Sequence, residues 1–590
     1  MDKEEIKKLA LEYLKKEKEE DFKKEVQQAL IEEDYSDLQD RFYTSLEFGT
    51  GGIRGIMGGG YNRLNPYMIQ KATEGYASYL EKHGDRNKDG NLSVALAYDC
   101  RHNSVFFAKK AVEVFSAHNI KCYLFTSLRP TPELSFAIRE LNCSGGVVFT
   151  ASHNPKKYNG YKAYWSDGSQ VIPPHDKGII ECVDNVDEIK TMDLKEAEKN
   201  GLLVYIDKEI DDKFVEMSKS FSINTELLKE KGKDLKVVFT PLHGTSAMLN
   251  ERVTKEMGIN LIIVPEQKEG DGDFPTVISP NPEDASALDM AIALAKKENA
   301  DIVIATDPDG DRIGIAVNDG NNEFQLLTGN RHGVLLVDYV FSQLKNKNKL
   351  PSNPVFINTI VTTELQNIIA ESYGAKTYRV LTGFKWVTKV IKEHEKDNNW
   401  NFVMGDEESY GFLIGTQLRD KDSVTATLLT IEMILYYKQE NKNLLNVLDD
   451  IWQKHGYYEE ASISKNFEGK EGIEFISHIM NNLRESPFTN LADEKVIKIT
   501  DVKKDTILNL NTNKTTKLGL PSSNVLQFTL ESGSIVSARP SGTEPKIKFY
   551  ASVFSKNEDL NKAKQEVSLK IEKLSSDIED YINELKNKRG

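Results

Sequence analysis

The strongest constraint on the fold is a repeated switch of hydrophobic period along the chain. Short apolar runs rich in β-branched residues ("LSVALAYD", "KVVFTPLHG", "NLIIVPE", "ADIVIATD", "PVFINTIV") alternate with stretches of helical spacing. Strands separated by helices bury their faces as α/β layers with parallel or mixed sheets. A chain of 590 residues exceeds what one hydrophobic core can organise, so about three to five domains are expected. Boundaries fall near 204, 320 and 457, dividing the chain into 1–204, 205–320, 321–457 and 458–590. Charged, weakly patterned segments near 184–200, 440–446 and 511–517 interrupt the series.

The two ends read differently. The first 35 residues predict a helix, with Ile6, Leu9, Ala10, Tyr13 and Leu14 on one stripe, an amphipathic face for packing on the body. Near the other end, Val567, Ile571, Leu574, Ile578, Tyr581 and Leu585 predict a terminal helix lying on its own domain. Its spacing is also that of a coiled-coil seam. No apolar run approaches the roughly 18 residues of a membrane span, and the N-terminal stretch lacks a signal peptide's apolar core. Cys100, Cys122, Cys143 and Cys182 show no metal or disulfide spacing, which points to a reducing cytoplasm. A net charge of −15 argues against nucleic acid as partner. An anionic substrate then requires local cations that overcome the overall field.

The acidic turn "ATDPDGDRIG" follows a buried-looking strand. Residues two apart in an extended loop face one way, so Asp307, Asp309 and Asp311 should converge. Bare carboxylates that close repel and raise one another's pKa, and a cation is the simplest remedy. An EF-hand fails: with Asp307 first, position 6 is Arg312 instead of glycine and position 12 is Asn318 instead of glutamate. A small oxygen-preferring ion such as Mg²⁺, with a fourth ligand from elsewhere, fits better.

Several stretches suit phosphate or sugar. "FGTGGIRG" carries Arg54 where a dinucleotide fingerprint needs its third glycine, so it offers backbone amides and a guanidinium to an anion, or is simply a flexible loop. "ARPSGTEPKIKFY" gathers Arg539, Ser541, Thr543 and Lys546 around Gly542 between two strand-like runs. Those are the groups a phosphate monoester wants. "VMGDEESYGF" places Glu407 and Ser409 after an apolar strand, a pairing for sugar hydroxyls or a helix cap. "LTGFKWV" adds Lys385 beside a glycine turn.

Ser152, in "TASHNPKKYNGYKAY", lacks the glycines of a hydrolase elbow. Neighbours on an extended strand face opposite sides, which directs His153 away from Ser152. No Walker A motif is present. What remains is a serine at a strand's carboxyl end, the ligand-binding edge of α/β sheets, with Lys162 nearby. A phosphoryl group on Ser152 would supply the missing metal ligand.

Together, "TASHNP", "DPDGDR", "EES" and "RPSGTEPK", in this order, resemble the α-D-phosphohexomutase superfamily over residues 42–550, nearest the phosphoglucomutase and phosphopentomutase-type branch. The resemblance implies four α/β domains around a central cleft, the first three with similar mixed sheets and the last a distinct α+β domain. It implies Ser152 as phosphoserine, and Asp307, Asp309 and Asp311 as Mg²⁺ ligands with Arg312 following. Glu407 and Ser409 match the sugar loop, and Arg539, Ser541, Gly542, Thr543 and Lys546 the grip on the non-reacting phosphate. Arg54, His153 and Lys162 match the reacting site, with Lys162 as a proton-transfer group. Lys385 matches a lysine of phosphoglucomutase-like members; Phe384 stands where mannose-preferring members carry histidine. The histidine some relatives carry after the sugar loop is replaced by Tyr410, Gly411 and Phe412. The implied chemistry exchanges glucose 1- and 6-phosphates through a glucose 1,6-bisphosphate intermediate that also serves as activator. Pentose phosphates, sugar-bisphosphate synthesis, mannose phosphates and a non-catalytic sugar-phosphate sensor stay open as alternatives. Small sugar phosphates are the expected partners, neither membrane nor nucleic acid is, and a monomer or weak homodimer is expected.

Overall fold

The computed structural model describes residues 1–49, 51–467, 469–541 and 546–589. Strands β1 (Gly52–Ile56), β2 (Ser93–Tyr98), β3 (Lys121–Phe125), β4 (Gly145–Phe149), β5 (Tyr158–Trp165) and β6 (Leu203–Ile206) form the first sheet, ordered β1-β5-β4-β2-β3-β6. Pairs among β2, β3, β4 and β6 are parallel, while β5 runs antiparallel to β4 and β1. Every residue of β2 and β4 is buried, as expected where helices cover both faces. Val94, Leu96, Val147 and Phe149 share one core with Phe107, Phe115 and Tyr161.

The second sheet contains β7 (Val237–Thr240), β8 (Leu261–Ile263), β9 (Ile302–Thr306), β10 (Ile313–Asn318) and β11 (Phe324–Leu327), ordered β11-β10-β9-β7-β8. Parallel β7, β8 and β9 are extended by antiparallel β10 and β11. Further on, β12 (Pro354–Thr359) and β13 (Lys376–Val380) pair in parallel, followed by β14 (Asn401–Glu407) and β15 (Gly411–Ile414). The C-terminal sheet is antiparallel throughout. It comprises β16 (Tyr457–Asn466), β17 (Asn490–Leu491), β18 (Glu494–Asp501), β19 (Thr506–Asn509), β20 (Lys514–Lys517), β21 (Leu526–Leu530), β22 (Ile535–Pro540) and β23 (Lys546–Ser555). The charged stretch near 514–517 is thus its edge strand, β20, with all four residues exposed. Lysines at an edge discourage pairing with another chain.

The N-terminal stretch is not one helix but three, Lys3–Lys16, Glu20–Ile31 and Tyr35–Phe42. Glu17 makes the first break. Its buried carboxylate accepts the N–H groups of Lys18, Glu19 and Tyr67 and the Tyr13 hydroxyl. Those bonds hold the turn between the first two helices and tie it to the start of helix Pro66–His83. The predicted stripe still packs: Ile6, Ala10 and Tyr13 join Val26, Ala29, Leu38 and Phe42 in a small core. At the other end, helix Leu560–Arg589 buries Ala563, Val567, Leu574, Ile578, Ile582 and Leu585 against its own domain, meeting β16 and β23.

The chain divides into two compact units. The first contains Met1–Gly329, Val387–Gly405 and Ser409–Asn441, and the second Asn330–Trp386, Asp406–Glu408 and Lys442–Gly590. Among the described residues, no helix is long and apolar enough to cross a membrane.

Candidate active site

In the first unit, the carboxyl ends of strands β4 and β9 lead into the Ser152 turn and the acidic turn, at the edge where α/β sheets bind ligands. β4 runs out at Phe149, and Ser152 takes φ +51. Its N–H donates to Thr150 Oγ1 (2.8 Å), and the Asn154 N–H donates to the Ala151 carbonyl (3.1 Å). The chain is therefore turning here, and strand alternation no longer applies. His153 does not point away, as the extended reading required: its Nδ1 lies 3.2 Å from Ser152 Oγ. The Arg312 guanidinium, then burial, then Arg54, hold this imidazole well below its ordinary pKa. It is neutral at neutral pH and able to accept a proton. Ser152 is 3 % exposed, and its hydroxyl donates to Asp307 Oδ2 at 2.7 Å.

Asp307, Asp309 and Asp311 do converge. Each offers one oxygen, and the three lie within 4.8 Å of one another, all buried. Asp307 Oδ1 accepts the N–H groups of Asp311 (3.1 Å) and Arg312 (3.0 Å), curling the loop back on itself. Two ammonium groups face the other carboxylates. Lys162 Nζ lies 2.6 Å from Asp309 Oδ2 and 3.7 Å from Asp311 Oδ2, while Lys421 Nζ lies 3.2 Å from Asp311 Oδ2. Burial, followed by its two acidic neighbours, pushes Asp307 well above the usual carboxylate range. Burial acts the same way on Asp309, but Lys162, the hydrogen bond with Asp307 and the Lys421 charge together hold that group below the range. For Lys162, burial disfavours the charge, yet Asp309 and Asp311 prevail and raise its pKa. Among the described residues, nothing donates a hydrogen bond to the buried Asp309 Oδ1 and Asp311 Oδ1. Buried carboxylate oxygens without donors are costly, and hard oxygen ligands at this spacing suit a divalent cation of the Mg²⁺ type. The residues present fit a metal.

Neighbouring segments fix this loop. The Thr131 N–H donates to the Asp309 carbonyl (2.8 Å) and its hydroxyl to Asp309 Oδ2 (3.1 Å). Ser423 Oγ donates to the Gly310 carbonyl (2.6 Å). Gly310 itself has φ +64, the left-handed region that glycine enters freely. Arg312 pairs with Glu283 through Nη1 (2.6 Å). Arg54, opposite Gly160 in the β1–β5 register, is exposed and donates to Asn154 Oδ1 (3.1 Å). The glycine-rich approach to Arg54 has a packing reason at Gly52. With φ +138, a Cβ there would sit 1.8 Å from the Tyr161 carbonyl oxygen, so only glycine lets β1 lie against β5. Sequence reading overlooked Thr131 and Lys421, whose acidic partners are distant along the chain and which belong to no recognised motif.

The second unit holds a separate polar group. Glu407 accepts the Gly383 N–H (2.8 Å), where Gly383 adopts φ +109. Beside it stands Glu408, also overlooked in the sequence. Its Oε2 accepts the hydroxyls of Thr359 (2.9 Å) and Thr362 (3.2 Å). Burial, then the Glu407 carboxylate, push Glu408 up to about 7. Ser409 belongs to the first unit, so the predicted Glu407–Ser409 pair falls on either side of the division. Lys385 opens helix Lys385–His394, with its ammonium 5.7 Å from the Trp386 ring centroid. Arg539 lies half-buried near the end of β22, opposite Lys548 of β23. The Ser541 N–H donates to the Lys546 carbonyl (2.8 Å). Gly542 and Thr543 lie outside the described residues.

Comparison with known proteins places this geometry in a family. Three models of the phosphoglucomutase/phosphomannomutase α/β/α domains match in order: domain I over residues 45–190, domain II over 212–320 and domain III over 328–455. A phosphoglucomutase of Staphylococcus saprophyticus is 35% identical over 521 residues, covering 87% of this chain and 91% of that protein. One from Staphylococcus aureus MRSA252 is 36% identical over 528 residues, covering 88% and 92%. Two solved structures share the fold. The Paramecium exocytosis-sensitive phosphoprotein pp63/parafusin, a phosphoglucomutase in its open form, gives a TM-score of 0.67 at 18% identity, covering 92% of this chain and 96% of that one. A phosphoglucomutase/phosphomannomutase family protein of Burkholderia thailandensis gives 0.63 at 18%, covering 89% and 98%. The α/β domains and the antiparallel C-terminal domain agree with the resemblance read from the motifs, and the chain belongs to the phosphoglucomutase/phosphomannomutase family, the phosphoglucomutase branch of the α-D-phosphohexomutases, and is a mutase of the isomerase class.

Proposed function

We propose that this mutase interconverts glucose 1-phosphate and glucose 6-phosphate, with Ser152 as the phosphoryl carrier and glucose 1,6-bisphosphate as intermediate and activator. The observation that carries the reading is a buried serine hydroxyl 2.7 Å from one member of a carboxylate triad, two of whose oxygens lack donors, in a chain whose relatives are phosphoglucomutases.

In the forward half-reaction the bond between phosphorus and Ser152 Oγ breaks as a bond to the free sugar hydroxyl forms, and that hydroxyl's proton leaves. In the second half the phosphoryl group at the other end of the bisphosphate returns to Ser152 Oγ. Asp307, Asp309 and Asp311 would hold Mg²⁺, which supplies neutralising positive charge to a transferring phosphoryl group. His153, held neutral, and Lys162, held charged, are the groups at hand to accept and to donate a proton. Arg54 and Arg312 add positive charge around the serine loop. We assign Glu407, Ser409 and Lys385 to the sugar, and Arg539, Ser541, Gly542, Thr543 and Lys546 to the phosphate that is not reacting. Divisions at 204, 320 and 457, a cytoplasmic setting, a monomeric or weakly dimeric state and the absence of membrane or nucleic-acid partners belong to the same reading. Phosphate esters react very slowly unaided, with enzymatic accelerations up to ~10²¹ for their hydrolysis. Positioning and fixed charge must therefore carry most of the gain.

The test is a panel of 1-phosphates of glucose, mannose and ribose, assayed with a catalytic amount of the matching bisphosphate, and intact-mass detection of one phosphoryl group on the chain. Fastest turnover of glucose 1-phosphate with a labelled Ser152 is expected. Preference for ribose or mannose phosphate, or release of free phosphate without isomer, would replace the reading.

A further inference from the structure

The serine loop is organised around a buried residue that no motif singled out. β2 ends at Tyr98, and the next turn carries Asp99 and Arg101, both buried. β2 pairs in parallel with β4, so this turn lies beside the one that carries Ser152. The guanidinium of Arg101 reaches across. Nη2 donates to the carbonyl oxygens of Ser152 (2.6 Å) and Asn154, and Nη1 to those of Pro155 (3.0 Å) and Tyr158 (2.9 Å). Nε lies 3.2 Å from Asp99 Oδ2, an ion pair with both side chains wholly shielded from solvent. Asp99 is fixed in turn, its Oδ1 accepting the Arg101 N–H (2.9 Å) and the Ser104 hydroxyl (2.8 Å). The Phe274 ring lies 5.0 Å from the guanidinium carbon.

Four terminal N–H groups thus meet four carbonyl oxygens spread over seven residues of one loop. Such convergence needs the planar fork of arginine, since an ammonium offers three donors from a single point. It also bears on the serine directly. Ser152 has φ +51, and a non-glycine residue stays in that region only when its surroundings hold it there. Here the restraints are Thr150 on the N–H side of Ser152 and Arg101 on its carbonyl side. With the backbone so held, Oγ is aimed at Asp307. Arg101 touches no reacting atom.

We infer that Arg101, held by Asp99, is a positioning residue that keeps the Ser152 loop in its turned conformation and so sets the rate of phosphoryl transfer. This rests on the phosphoserine reading above.

The experiment uses the full chain as parent, Arg101→Lys and Asp99→Asn. Each is assayed for melting temperature, for kcat and KM with glucose 1-phosphate, and for the rate of Ser152 labelling by glucose 1,6-bisphosphate. Displacing a reacting group by about 1 Å can cost ~100-fold in rate. Arg101→Lys should therefore remain folded, lower kcat and the labelling rate by about that factor, and leave KM within roughly threefold; Asp99→Asn should fall between it and the parent. A lysine variant with near-parental kcat would overturn the inference, because charge alone would then suffice. So would a rise in KM at unchanged kcat. If Arg101→Lys fails to fold, Asp99→Asn decides by the same split, and loss of fold in both would make the pair a stability element and overturn the inference. A parent that turns over no sugar phosphate would sink the functional reading instead, whereas an active parent matched by its variants sinks only the positioning role.

Discussion

Replacing Gly310 by alanine tests how tightly the acidic turn is held. The residue has φ +64, and a Cβ there would approach Pro130 Cβ at 2.8 Å, with Ser246 Cβ at 3.3 Å and Thr245 Oγ1 at 3.4 Å. Two costs follow. An L-residue in the left-handed region costs ~1–2 kcal/mol, and forcing an extra methyl into a packed site costs ~1–3 kcal/mol. Pro130 has little freedom to retreat, because Thr131 is bonded to Asp309 through both its N–H and its hydroxyl. The sum is about 2–5 kcal/mol, which for a domain of this size lowers the melting transition by roughly 5–15 °C. Gly320 separates the two costs: its φ is +98, yet a Cβ there would meet nothing within 4 Å. Gly320→Ala should then lose only the conformational part, roughly 2–6 °C. Scanning calorimetry on both variants reads the difference, and the exchange rate reads whether the carboxylates have moved. Adding Pro130→Gly to Gly310→Ala removes the opposing Cβ and should recover the steric share in a double-mutant cycle. Equal melting shifts for Gly310→Ala and Gly320→Ala, or no coupling to position 130, would refute the close contact and with it the idea that the turn is wedged.

Three further outcomes are expected. Ser152→Ala should abolish exchange and eliminate the phosphoryl mass increment while the chain stays folded; exchange at the parental rate would end the covalent scheme. Excess EDTA should stop exchange and added Mg²⁺ restore it, and rates indifferent to chelation would count against the role assigned to the carboxylate triad. Burial and the Glu407 carboxylate push Glu408 up to about 7 in the folded chain, against about 4.3 when exposed. The folded state therefore holds more protons across that interval, and stability should fall as pH rises through it. Glu408→Gln should flatten this slope, and an unchanged melting-temperature profile between pH 5 and 7.5 would show that the carboxyl is not perturbed.

The parts of the site legible in sequence were those whose partners lie close along the chain. Asp307, Asp309 and Asp311 sit within five residues of one another, so their convergence could be read from spacing alone. The α/β alternation and the stripe on helix Leu560–Arg589 were visible for the same reason, since hydrophobic period is a local signal. Arg101 was invisible because it donates to backbone carbonyls 51 to 57 residues away, and a carbonyl has no sequence signature. Thr131 lies 178 residues from Asp309, and its dipeptide with proline reads as an ordinary helix start. The misplacement of His153 had a remedy in plain view: Asn154–Pro155 is a turn signal, which weakens any reading of Ser152 as extended. The break at Glu17 was harder to see, since the sequence gives no hint that Tyr13 and Tyr67 would bury that carboxylate.

How a chain of net charge −15 handles a dianionic substrate follows from the distances. Charges farther than the screening length of ~8 Å at physiological ionic strength are largely masked at the surface, so most of the acidic excess acts weakly on the serine loop. What acts strongly is near. Lys162 and Lys421 lie against the triad, and His153 feels Arg312, Arg54 and Lys162 strongly enough to lose its proton. Three carboxylates thus sit among four permanent cations, with Asp307 pushed toward its neutral form. With Glu283 against Arg312 and Asp420 beside Lys421 also counted, the charges around the turn nearly cancel before any metal is counted, unlike those of the molecule as a whole. Each lysine is also tethered to an aspartate, so under the proposed function a phosphoryl group would compete with a carboxylate for the same ammonium. Removing Lys421 alone should therefore weaken both the hold on the turn and the attraction for phosphate, and the two effects separate by ionic strength: attraction fades with added salt, whereas a buried 3.2 Å contact does not.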